Sequence, residues 1–106
     1  MIVVNCYEIA GRRVARTLGL VRGNTVRCRH LGRDILAVLR NLVGGEVHEY
    51  TKLLAESREH ALDRMVDEAR ALGADAVIGV RFATSEVTTN AAEILAYGTA
   101  VKLEDA

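Results

Sequence analysis

Residues 46–73 read EVHEYTKLLAESREHALDRMVDEARALG. Val47, Tyr50, Leu54, Ser57, Ala61, Met65, Ala69 and Leu72 recur every three or four positions, the repeat that places side chains on one face of an α-helix. Leu53, Leu62 and Val66 widen that stripe. Lys52 with Glu56, and Arg64 with Glu68, fall four apart on the opposite face, the spacing of helix ion pairs. Gly73 supplies the stop, since glycine takes the positive φ that closes a helix C-terminus. A helix of about 26 residues is ~40 Å long, more than a small domain needs to cover its own core.

Strands follow the helix. Ala76, Ile78, Val80 and Phe82 alternate onto one face, and Val77, Gly79, Arg81 and Ala83 onto the other. Residues 88–90, TTN, make the turn. The final strand sets Ile94, Ala96, Gly98 and Ala100 against Leu95, Tyr97, Thr99 and Val101. Both of these faces are apolar or small, the pattern of a strand buried on both sides. Gly79 and Gly98 inside strands mark close approach of a backbone, read here as that of another chain. One long helix and a short one can cover one face of a small sheet, and not easily both. The face left over is expected to meet a second copy of the chain.

Upstream of the helix, residues 1–9 read as a first strand that Gly11 interrupts. They have no basic leader and no small-residue cleavage pattern, so a strand is expected there and not a secretion signal. Residues 13–21 and 25–28 read as two strands about a turn at Arg22-Gly23-Asn24. Ile35, Leu36, Leu39, Leu42 and Val43 share one side of a second, shorter helix that begins near Asp34. Gly44-Gly45 ends it, paired glycines being costly inside a helix.

The 106 residues form one domain, and half of them are hydrophobic. Phe82 and three tyrosines are the only aromatics, so the core is built from Val, Ile, Leu and Ala. No run of about 18 apolar residues offers a membrane span. Two cysteines with no secretory signal point to free thiols and a cytoplasmic location. The net charge is zero but unevenly spread. Residues 1–33 hold seven arginines against Glu8 alone, a net charge of +6, and the remainder carries −6. Basic strands meeting acidic helices, within a chain or between subunits, account for this. A nucleic-acid partner is not expected, since the chain shows no helix-turn-helix, RRM or finger pattern.

Four blocks, GLVRGNTV (19–26), DILAVLRNLVGGEVHEY (34–50), ARALGADAVIGVRF (69–82) and AYGTAV (96–101), together resemble the YbjQ-like family. They stand in the family's order and cover most of the chain. The resemblance implies an α+β fold: a small β-α-β-β unit like the dodecin subunit, with one long helix on an antiparallel sheet. It also implies assembly into a ring, a pentamer, with strands packed between subunits. The family carries a heavy-metal-binding label and brings no catalytic residue set. Many members have a basic residue after the paired glycines. Glu46 stands there in this chain, which speaks against anion binding at that turn.

The soft metal ligands available are Cys6, Cys28, His30, His48 and His60. Cys28 and His30 are two apart, which on a strand points both to one face, the arrangement a chelate needs. A tetrahedral site wants three or four convergent Cys or His ligands, and no CxxC or HExxH supplies the others. His48 and His60 are twelve apart on one helix, about 18 Å along its axis, so one chain closes no site with both. Symmetry in a ring could supply the missing ligands, and any metal cofactor depends on that. Otherwise Cys28 is a small buried hydrophobe and His30 a loop residue.

Neither a P-loop nor a dinucleotide fingerprint occurs. Glu46 and Glu49 occupy the helix start after Gly44-Gly45 and repel an anion there. Ser57 and Ser85 lie in no nucleophile elbow. Glu46, His48, Glu49 and Tyr50 form a polar first turn with no nucleophile beside it. Arg22, Arg27, Arg29 and Arg33 would make a positive belt in a ring and suit an anionic ligand or the acidic face of the next subunit. The sequence therefore reads as a ring-forming binding or scaffold protein. The alternative is a heavy-metal or small-anion binder with sites at subunit interfaces. No catalytic residue is assigned.

Overall fold

The computed structural model describes residues 1–28, 47–88 and 91–106. In chain order the elements are β1 (Ile2–Val3), β2 (Arg12–Cys28), α1 (Val47–Ala71), β3 (Ala76–Thr88) and β4 (Ala91–Asp105). They form one helix on one four-stranded sheet of order β1-β3-β4-β2. β2 and β3 both run antiparallel to the central β4, and β1 adds parallel to the start of β3. This is the expected α+β unit, though the first strand expected over residues 1–9 is reduced to Ile2–Val3. The shorter helix expected over residues 34–43 lies outside the described residues, as do positions 89 and 90 of the TTN turn.

The helix forms where its periodicity places it. Ser57, Ala61, Met65 and Ala69 are fully buried on its inner face, with Leu54, Leu62 and Val66 half-buried beside them. Its end is a Schellman closure. Gly73, at φ 77°, donates to the Arg70 carbonyl (2.9 Å), and the Ala74 amide donates to Ala69 (3.1 Å). Arg64 donates to the Asn24 carbonyl on β2 and does not pair with Glu68.

Residues 12–28 are one continuous strand and not two about a turn. Gly23 is the reason. A Cβ there would lie 2.3 Å from the Ala61 carbonyl oxygen and 2.4 Å from the Met65 nitrogen. The glycine thus marks where the helix backbone touches the strand, and no chain reversal is needed to explain it. Its neighbours on that face, Val21 and Thr25, are buried under the helix, and Thr25 donates to the Ser57 carbonyl (3.3 Å).

β3 departs from strict alternation. Ile78 pairs with Thr99 and Arg81 with Tyr97, so β3 carries one residue more than β4 between these pairs. Gly79, at φ 62°, sits in that bulge. Ala76 and Ile78 consequently face away from the helix, packing with Val101 and with Val4, Ile9 and Leu103. Val77 and Val80 join the core under the helix. The expected shared face of Ala76, Ile78, Val80 and Phe82 is therefore split at the glycine. Both strand glycines are also explained within one chain. The Tyr7 ring fills the space over Gly79, and the Val77 and Val80 side chains and the Ile78 carbonyl close on Gly98.

The helix packs chiefly on β2, less on β4 and hardly on β3. Among the described residues the opposite sheet face is covered only near β1. Beyond that cover, Leu20 is 64 % and Val26 52 % exposed, and on the helix side Phe82 is 45 % exposed. The molecule is long, 57 × 25 × 17 Å, with a radius of gyration of 17.3 Å. A compact chain of this length would have about 13 Å.

Candidate functional site

The N-terminal segment builds a concave feature on the sheet. After β1, the Val4 amide donates to the Val77 carbonyl (3.0 Å), and the Val80 amide returns a bond to Val4 (3.1 Å). The Gly79 amide donates to the Cys6 carbonyl (2.9 Å). These bonds carry the chain along the bulge and set Tyr7 over Gly79. The Arg81 guanidinium donates to the Tyr7 hydroxyl at 3.3 Å. That hydrogen bond is the main cause holding the Arg81 pKa above its usual value. The chain then turns at residues 9–12. The Arg12 amide donates to the Ile9 carbonyl (3.1 Å), with Gly11 at φ 76° supplying the left-handed position.

Under this turn lies a groove of about 730 Å³, within the usual range for small-molecule sites. Ile9, Val14, Ile78 and Leu103 give it an apolar floor, and Tyr7, Glu8, Arg12 and Arg13 stand along it. The two arginines are already matched. Arg12 lies 3.8 Å from Asp105, and Arg13 pairs with Glu104. With Glu8 alongside, the groove carries little net charge. It offers surface for binding, and no base–nucleophile pair for chemistry.

Asp75 fastens the helix exit to β4. Its carboxylate accepts the Leu103 amide (2.9 Å) and stands 3.6 Å from Lys102. The amide bond, ahead of the lysine, holds its pKa below the usual carboxylate value. This is a structural tie and not a reactive group.

The predicted ligands fare unevenly. Cys6 is exposed, its thiol donating to the Glu8 carbonyl at 3.1 Å. Cys28 ends β2 as a strand residue, while His30 lies outside the described residues, so the Cys28–His30 pairing is not seen. His60 is on the exposed side of the helix. Among the described residues no three of His, Cys, Asp and Glu stand close enough to hold a metal ion. Arg22 projects from the sheet face opposite the helix, while Arg29 and Arg33 lie outside the described residues. Ser57 is buried in the core and Ser85 is exposed on β3. Sequence reasoning missed the groove at residues 7–14. Gly11 was its only signal, and a single glycine does not say where the chain goes next.

The sequence profile of the YbjQ-like family, described as "Putative heavy-metal-binding", matches residues 1–104. The chain belongs to this family. A UPF0145 protein of Halorubrum lacusprofundi is 62 % identical over 99 residues, covering 93 % of this chain and 95 % of that one. A UPF0145 protein of Thermus thermophilus is 60 % identical over 106 residues, covering 99 % and 93 %. The crystal structure of a protein of unknown function from Pediococcus pentosaceus superposes with a TM-score of 0.65 at 16 % identity, covering 98 % of each chain. At that identity the likeness shows the fold alone. No described helix of this YbjQ-like chain is long and apolar enough to cross a membrane.

Proposed function

We propose that this protein is a self-associating binding or scaffold module whose subunits close into a ring, five copies being what the family resemblance implies. One observation carries this reading: among the described residues, large apolar side chains stand exposed on both faces of the sheet. Leu20 and Val26 stand exposed on the face away from the helix and Phe82 on the helix side, all on strands whose other residues form the core. Large apolar side chains left exposed on strands are characteristic of interaction surfaces. The radius of gyration, 17.3 Å against about 13 Å for a compact chain, supports it further. Sedimentation velocity on untagged protein tests the reading. A species at a multiple of 11.5 kDa is expected, and a single 11.5 kDa species at micromolar concentration would refute it.

The family's heavy-metal description favours a second reading, a metal or small-anion site completed between subunits, with Cys28 and His30 as its candidate ligands. Elemental analysis of untagged protein, with Cys28→Ala and His30→Ala as controls, separates the two. Stoichiometric metal lost in both variants would support the site. Metal-free wild type grown with metal in the medium would exclude it.

A further inference from the structure

The groove under the turn at residues 9–12 lies at the Arg12 end of β2. Val14 on its floor is 14 residues, roughly 40 Å of strand, from Cys28. The helix also begins at that far end: Ser57 is level with Thr25, and Val47 lies ten residues, about 15 Å, further out. A span of 18 residues that leaves Cys28 and returns to Val47 extends at most ~33 Å before it turns back. Residues 7–14, 78 and 103 therefore define the groove by themselves. Its charges do not cancel. Arg13 pairs with Glu104, while Arg12 has Asp105 at 3.8 Å and acts on the Asp75 carboxylate as well. Arg81 is not in the lining and donates to the Tyr7 hydroxyl. Among the described residues no ion pair or hydrogen bond takes up the Glu8 carboxylate. The Tyr7 ring beside it rests on Gly79 and is still 63 % exposed, and the face of an aromatic ring is electrostatically negative.

We infer that this groove binds a bulky organic monocation, its apolar body on Ile9, Val14, Ile78 and Leu103 and its charge beside Glu8 and Tyr7. The site lies within one chain and is independent of self-association. Four aliphatic side chains supply the contact area, which favours any apolar body of suitable size. The charges select among such bodies. An anion finds both lining arginines already matched to carboxylates and meets Glu8 unscreened. A neutral molecule leaves Glu8 without a partner. A cation satisfies the carboxylate and also gains from the ring. A bare metal ion does not fit, because no second acid, cysteine or histidine stands close enough to share it among the described residues. At a solvent-exposed site a contact of this kind changes affinity by a factor of about two to five. Selection between cation and anion draws on attraction for one and repulsion for the other.

Tetraphenylphosphonium and tetraphenylborate test this, being bodies of one shape and opposite charge. Titration calorimetry gives the affinity of each, and amide chemical shifts give the place. The cation is expected to perturb residues 7–14, 78 and 103. Its preference over the anion should fall at least five-fold in Glu8→Gln, a substitution the fold tolerates because Glu8 is exposed. Leu103→Ala trims the floor and leaves every charge in place, so it should weaken the cation while the preference stays as in wild type. An unchanged preference in Glu8→Gln would overturn the role of the carboxylate. Shifts confined to other parts of the molecule, or no binding of the cation at about 1 mM, would overturn the site. Binding of the cation that Leu103→Ala leaves unchanged would overturn the floor contact.

Discussion

Gly23→Ala is expected to destabilise the fold although it adds a single methyl to an exposed-looking strand sequence. Taken alone, replacing a glycine in ordinary extended backbone stabilises by about 0.4–1 kcal/mol, through the unfolded chain. The helix opposes this. The new Cβ would sit 2.3 Å from the Ala61 oxygen, 2.4 Å from the Met65 nitrogen and 2.7 Å from the Arg64 Cβ. Comfortable separations begin near ~3.5 Å, so the gap is short by about 1 Å. Two of these atoms are helix backbone, and no rotamer change relieves them. The helix must lift, loosening Ala61, Met65 and Val21, all fully buried. Overpacking of a core costs typically ~1–3 kcal/mol, and contact with rigid backbone belongs at the upper end. The net loss is then about 2 kcal/mol, or a fall in Tm of roughly 8 °C for a domain of this size. Urea and thermal unfolding, at one fixed protein concentration, measure it. A Gly23→Ala variant as stable as wild type, or more stable, would refute the claim that this glycine exists for helix contact.

Met65→Ala empties a fully buried site and is expected to cost about 2–5 kcal/mol in urea unfolding. Gly79→Ala puts a methyl 2.6 Å from Tyr7 Cε1 at a φ of 62°, so residues 1–9 should loosen and chymotrypsin should cleave after Tyr7 faster than in wild type. Asp75 has a folded pKa below its unfolded one. Its contribution is therefore complete above about pH 4 and lost as pH falls through the folded value. Asp75→Asn should flatten the acid limb of a stability–pH curve, and an unchanged limb would show that the Leu103 tie is not what acid breaks.

The helix was legible because its stripe is long and regular, and its closure at Gly73 followed from the residue alone. The alternation of β4 was equally plain. Three features were not readable, each for a physical reason. Gly23 in RGN has the composition of a turn, and only the position of Ala61 shows it to be a contact. Gly79 hides a bulge, because apolar residues continue on both sides and a one-residue slip leaves the pattern looking intact. The groove arises when residues 7–14 fold over Ile78 and Leu103, partners far apart in the chain that no local pattern joins. The candidate ligands were legible only as residue types. Convergence is a property of the fold, and the described residues bring no three of them together.

The surplus residue at Gly79 also gives the chain some tolerance in length. A strand that already carries one residue more than its partner can lose one at that point and still present Arg81 to one side and Phe82 to the other, as it does now. The same deletion a few residues later, within the regular part of the strand, would exchange the faces of the residues beyond it. Insertions and deletions among related chains should therefore gather at this glycine. A shortened form would give up the seat of Tyr7 and little else.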